Sequence, residues 1–346
     1  WSTAPPAAAA ILLLLRLPTA WRPPAAEAGE QLLATTRAPA PVWCEQRGCS
    51  LRGSEDNGQE AFHRMKIILS SDLFDISDGG PLPLVLQNMV EETGWRGRNA
   101  TAVWLRDARS GWSDAYERFV SVDKPGMERM AQLGITNHVG LWINRDGRPG
   151  AHMILEDDIV GNVSRTADVD LVKDVISNAT VLVVPGGEPF RLLQSLRSPL
   201  GSEVWAHALR RLRRGELVYV ARSAGTIAAG SNVDITGFRG GATLRESQLY
   251  LGNPIDWSGL SLLPGSIALR PHYVPGGKLG AEQRTADNRG KWSDDDFVEH
   301  LQAEHPGVTP VTIRDGDFVA LDHGVIKFGR DFAYLLKHHE QAWMIQ

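Results

Sequence analysis

The chain has 346 residues, 42% hydrophobic and 22% charged, which is enough apolar material for one large domain or two small ones and an ordinary globular balance rather than a disordered one. Its formal net charge of −5, with a pI near 6.1, supplies no overall basic excess for a nucleic-acid partner, and none is expected. Cys44 and Cys49 are the two cysteines and both precede the first strand-like segment, so the core offers no thiol nucleophile; no second Cys or His pair at zinc spacing stands near them, and neither a metal nor another cofactor is expected.

Residues 1–64 are rich in Ala, Pro, Arg and Gly without a sustained period. They read as a targeting or disordered extension, ahead of a single folded domain over 65–335 and a tail over 336–346. The apolar run AAAAILLLL at 7–15 is too short to span a bilayer. It resembles the core of a signal or transit peptide, although no basic segment precedes it; without that role the chain is expected in the cytoplasm. Trp1 in place of Met reads as a fragment or a processed form. Sequons at Asn99, Asn162 and Asn178 do not decide the compartment, and the pattern sets no oligomeric state.

KIILSS (66–71) is a buried-strand run. LPLVLQNMVEET (82–93) has helical spacing and stops at Gly94, AVWL (102–105) is a second strand, a helix over 125–133 closes at Gly134, and HVGLWI (138–143) is a third strand. Residues 144–165 read as an inserted loop or hairpin. A helix at 167–177 leads to the apolar strand VLVVP (181–185), and helices follow over 188–197 and 202–213, the second with Val204, Trp205, Ala208, Leu209 and Leu212 on one face. Arg210, Arg211, Arg213 and Arg214 read as its solvated side. LVYVA (217–221) is the next strand, Ser293 opens a later helix, and DFVALDHGVIKF (317–328) is a hairpin turning at 322–324. Strands apolar throughout, alternating with helices, predict a doubly wound, mostly parallel sheet covered on both faces, with the chemistry at the carboxyl ends of its strands.

Two of those strand ends are distinctive. LVYVARSAGTIAAG (217–230) runs from a buried strand through Arg222-Ser223-Ala224-Gly225 into a helix, the context of a nucleophile elbow, although Ala221 stands where such elbows carry Gly. Ser223 is the expected nucleophile, with the Ala224 amide stabilising charge on the attacked carbonyl. Paired glycines after VLVV offer bare amides to a ligand, so the Gly186-Gly187-Glu188 loop reads either as an oxyanion donor, with Gly187 the better candidate, or as a tight strand-to-helix turn. A hydroxyl nucleophile needs a base, and His272 ends the strand-like run LRPHY. Asp234 is the favoured acid, with Glu246 and Asp256 also between nucleophile and base. Gly186, Glu188 and Arg222 border the cleft as expected substrate contacts, Arg222 either selecting or rejecting charged substrates.

Three blocks, VLVVPGGEPFRLLQSL (181–196), LVYVARSAGTIAAG (217–230) and LSLLPGSIALRPHY (260–273), resemble the peptidase E / cyanophycinase family of serine peptidases in order and spacing, and the likeness runs over about 65–330. The resemblance implies the class I glutamine amidotransferase-like α/β fold, a Ser223–His272–Asp234 triad, oxyanion amides from Gly187 and Ala224, no metal, and small peptide substrates, aspartyl dipeptides or an aspartyl-arginine polymer among them. GGEPF, Ala221-Arg222 and the acidic 146–166 insertion depart from that family and bear on substrate choice. An esterase of the α/β-hydrolase type would carry its histidine nearer the chain end, and a glutamine amidotransferase would need Cys at 223 and Glu at 274, where this chain has Ser and Val. A degenerate binding scaffold would leave His272 without a carboxylate.

Overall fold

The computed structural model describes residues 62–71, 82–95, 100–108, 123–144, 153–157, 162–166, 168–234, 244–273 and 294–329. All described residues belong to the unit Arg52–Gln346. The apolar run at 7–15, Cys44, Cys49 and the 336–346 tail lie outside the described residues. Phe62, assigned by composition to the extension, is half-buried and packs on the core just ahead of the first strand.

In chain order the elements are β1 (Lys66–Ser70), α1 (Leu82–Glu92), β2 (Ala100–Leu105), α2 (Lys124–Gln132), β3 (Ile135–Trp142), β4 (Met153–Asp157), β5 (Asn162–Thr166), α3 (Val169–Ser177), β6 (Val181–Val184), α4 (Pro189–Arg197), α5 (Pro199–Arg213), β7 (Val218–Arg222), α6 (Ala224–Ala229), α7 (Leu244–Leu251), β8 (Ile267–Pro271), α8 (Asp294–Glu304), β9 (Thr309–Ile313), β10 (Phe318–Asp322) and β11 (Val325–Gly329). One sheet runs β11-β10-β1-β7-β6-β2-β3-β4-β5, and β8 pairs with β9 in a second. The five central strands are parallel; the β4–β5 and β10–β11 hairpins add antiparallel edges. This is the expected α/β architecture, a doubly wound, mostly parallel sheet. The 144–165 segment thus contains a hairpin that lengthens the sheet beyond β3.

Right-handed crossovers explain the two covered faces. From β1 to β2 to β3 the chain steps one way along the sheet and lays α1 and α2 on one side; from β3 back to β6 and β7 it steps the other way and lays α3, α4 and α5 on the opposite side. The period-2 alternation of the strands divides accordingly: Ile68, Trp104, Val183 and Val220 face α1 and α2, whereas Leu69, Leu105, Val184 and Tyr219 face the larger core. Burying each such side chain contributes about 1.5–3 kcal/mol, which holds both layers to the sheet.

Local chemistry sets the boundaries. Asp168 caps α3 by accepting from the amides of Asp170 and Leu171 at 2.9 and 3.2 Å. Pro199 and the Ser198 cap separate α4 from α5. Arg211 departs from the expected solvated row: its Nη1 donates to the carbonyls of Ile176 and Ala179, and its Nη2 to that of Glu216. It satisfies helix-end carbonyls that would otherwise lack donors.

Candidate active site

The carboxyl ends of β1, β7, β6 and β2 lie side by side, and there the elements present Ser70-Ser71, Ser223, Gly186-Gly187 and Asp107-Ala108. Ser223 joins β7 to α6 with φ 47° and ψ −108°. Among the described residues four that are not glycine have positive φ, and they include both Ser223 and His272, the latter at 56°. Such backbone costs of order 1–3 kcal/mol and persists where the surroundings impose it. Here the Ser223 amide donates to the Ser70 carbonyl at 3.1 Å, and the Thr226 hydroxyl donates to the same oxygen at 2.7 Å. Gly225 is required because a Cβ there would lie 2.4 Å from the Val184 carbonyl oxygen.

The glycine loop lies against the serine. A Cβ on Gly186 would sit 3.1 Å from Ser223 Cβ and 3.5 Å from its Oγ. Gly187, at φ +150°, has no room for a side chain, since a Cβ would come within 2.1 Å of the Ala108 carbonyl oxygen. The Glu188 amide donates to that oxygen at 2.5 Å. Asp107, 1% exposed, anchors this region by accepting from the amides of Ile143 and Asn144 at 2.8 and 2.7 Å. Burial pushes its carboxyl above the usual range against the pull of those amides. Glu188 caps α4 by accepting from the Phe190 amide at 3.1 Å, and Arg222 Nε lies 3.9 Å from the Gly186 Cβ position.

His272 follows β8, and its partner comes from the adjacent strand. In the register Pro271 pairs with Ile313, so the residues after both strand ends meet. Nδ1 of His272 lies 2.6 Å from Asp315 Oδ1 and 3.0 Å from Ser71 Oγ. The Ser71 hydroxyl donates to Asp315 Oδ1 at 2.6 Å and accepts from the His272 amide at 2.6 Å. A bare Nδ1 would set its lone pair against a carboxylate 2.6 Å away, so the network assigns the proton to Nδ1 and leaves Nε2 as the basic nitrogen.

Asp234, favoured from the sequence, has a different partner: its Oδ2 lies 2.8 Å from His305 Nε2, and the pair is stacked edge-on by Trp257. The carboxylate at His272 is Asp315, so the expectation for the acid is corrected. Asp256 pairs with Arg197 at 3.3 Å and accepts from the Ser258 amide; burial raises its pKa, but the Ser258 bonds and the Arg197 charge outweigh it and hold the group below the usual range. Glu246 lies in α7. Asp315, Ser70 and Ser71 went unread in the sequence; the signal for Asp315 was its place just after the strand-like VTI at 311–313. Elsewhere, Glu92, Asp322 and His323 form a metal-ligand-like group among the described residues at the opposite end of β1, where Lys66 Nζ lies 3.6 Å from Glu92.

Residues 159–327 match the model of peptidase family S51, a stretch that contains the elbow, the glycine loop, His272 and Asp315. Over that stretch, just under half of its length, the chain is similar to peptidase family S51. It is a serine peptidase. The crystal structure of a protein assigned as peptidase E from Listeria monocytogenes EGD-e is similar to it at 15% identity, over 77% of this chain and 98% of that one, with a TM-score of 0.46. That of a peptidase from an acI-B1 Actinobacterium is similar at 13% identity, over 75% and 83%, with a TM-score of 0.46. No curated protein matches the chain. Among the described residues no helix is long and apolar enough to cross a membrane.

Proposed function

We propose that this serine peptidase hydrolyses small peptides, aspartyl dipeptides among them, with Ser223 as nucleophile, His272 as general base and Asp315 as the carboxylate that orients it. The observation that carries the reading is the convergence on β1: Ser70 holds the elbow of Ser223, and Ser71 holds the His272–Asp315 pair. His272 Nε2 takes the proton as Ser223 Oγ bonds to the scissile carbonyl carbon, and the main-chain N–H groups of Gly187 and Ala224 receive the developing oxyanion. Collapse breaks the C–N bond, with the proton passing from His272 to the leaving amine. Water, deprotonated by His272, then releases the acyl group and restores Ser223. The Asp315 carboxylate stabilises the imidazolium formed in both steps.

Asp315 within 2.6 Å of His272 supports an enzyme over a binding-only scaffold. Arg222, beside the nucleophile, supplies a guanidinium for a substrate carboxylate, which supports an acidic residue next to the scissile bond. The test is fluorophosphonate labelling with hydrolysis of aspartyl- and alanyl-p-nitroanilide. Label and activity are expected to vanish in Ser223→Ala, and Arg222→Leu to raise KM selectively for the aspartyl substrate. A Ser223→Ala protein that retains activity refutes the assignment.

A further inference from the structure

The acid at His272 is poorly placed to act alone. Asp315 has a side chain 64% exposed, so water competes for its oxygens and screens its charge. The neighbouring Ser71 is 0% exposed. Its hydroxyl has one proton and two lone pairs, and the structure uses them all: the proton goes to Asp315 Oδ1, one lone pair accepts the His272 main-chain N–H, and the other faces Nδ1–H at 3.0 Å.

We propose that Ser71 is a positioning residue of this peptidase, whose buried hydroxyl fixes the ring, the backbone and the Nδ1–H tautomer of His272 and tethers Asp315 to it. The inference rests on the reading of His272 as the base. Three consequences follow from the geometry. The hydrogen bond from the His272 main-chain N–H to Ser71 Oγ sustains the left-handed φ of 56° that turns His272 out of β8. The bond to Asp315 holds an exposed side chain in one rotamer, so the ring finds its partner already placed. Ser71 also follows Ser70, whose carbonyl oxygen takes the Ser223 and Thr226 donors, so one dipeptide at the end of β1 registers nucleophile against base. A slip of β1 would move both.

The decisive measurement is the second-order rate of inactivation by a fluorophosphonate, which reads the nucleophilicity of Ser223 without knowledge of the natural peptide. A P–O bond forms, the P–F bond breaks, and the hydroxyl proton passes to His272. Ser71→Ala is expected to slow this rate about 10–100-fold, by analogy with the loss of a group that orients a metal-bound histidine. The imidazole ¹⁵N spectrum should change from the single Nδ1–H tautomer to a mixture, a change that loss of fold stability alone would not produce. In an Asp315→Asn background the same substitution is expected to cost less, because the two act on one ring. Ser71→Cys, which preserves volume and weakens the bonds, reports the same slowing where the alanine variant loses its fold. Wild-type inactivation rates in both Ser71 variants, with an unchanged tautomer, would overturn the proposal. His272→Ala separates the two ideas: if it inactivates the enzyme while the Ser71 variants stay fast, only the role of Ser71 fails; if it retains full reactivity, the base assignment fails with it.

Discussion

Asp315→Asn is the substitution on which the two candidate acids divide. Asparagine keeps the shape of the side chain, and 2.6 Å from Nδ1 it presents either a neutral oxygen or an amide nitrogen. As a neutral acceptor it forfeits a charge-assisted hydrogen bond of about 1.5–3 kcal/mol, and at 1.36 kcal/mol per decade the loss in kcat is about 10–150-fold. As a donor it favours the tautomer with the proton on Nε2, which cannot accept from Ser223, and the loss rises toward about 10⁴-fold. Exposure of Asp315 lets water replace part of the interaction, which places the expected loss near 10²-fold. Asp234→Asn should behave in the opposite way. It leaves His272 untouched but weakens a part-buried, charge-assisted bond to His305, costing about 1–3 kcal/mol of stability, or several degrees in Tm, with kcat within about twofold. Steady-state hydrolysis of aspartyl-p-nitroanilide, beside thermal unfolding, reads both. Wild-type kcat in Asp315→Asn, or a hundredfold loss in Asp234→Asn, refutes the reasoning.

Gly187→Ala places a Cβ 2.1 Å from the Ala108 carbonyl oxygen, so the loop must move and carry its amide away; kcat is expected to fall about 10²–10³-fold, and an unchanged kcat removes Gly187 from the oxyanion role. His138 is buried against Trp104, whose Nε1 donates to its Nδ1 at 3.1 Å, and burial lowers its pKa to about 4 from the usual 6.5. Between those values the unfolded chain binds the extra proton, so stability should rise with pH through that window by about 3 kcal/mol. The raised carboxyl of Asp107 works in the other direction, losing its contribution as pH rises through its own range. The difference between wild type and His138→Gln in urea unfolding at pH 4.5 and 7 therefore isolates the histidine, and identical pH dependence in the two proteins would exclude it.

The parallel sheet was legible because its strands are apolar on both faces, a pattern that composition and period alone report. The terminal hairpin was legible for a local reason as well. His323 and Gly324, at φ 50° and 73°, form the two-residue turn that Asp-His-Gly suggested. Ser223 was singled out by its strand-to-helix context and His272 by its place at a strand end, since each expectation draws only on its own neighbours.

The acid could not be read that way. Asp315 meets His272 because β8 and β9 pair in parallel across more than 35 intervening residues, and register between distant strands leaves no mark in either segment. Sequence proximity favoured Asp234, but the fold turns that carboxylate to His305. Ser71 was visible only as the last letter of a strand. Thus the sequence by itself determined which residue types could do the chemistry and on which elements they stand, because period and turn chemistry are local. Tertiary structure alone decided which carboxylate and which hydroxyl reach the imidazole, because hydrogen bonds act over about 3 Å and only the packed sheet brings residues 71, 272 and 315 within that range.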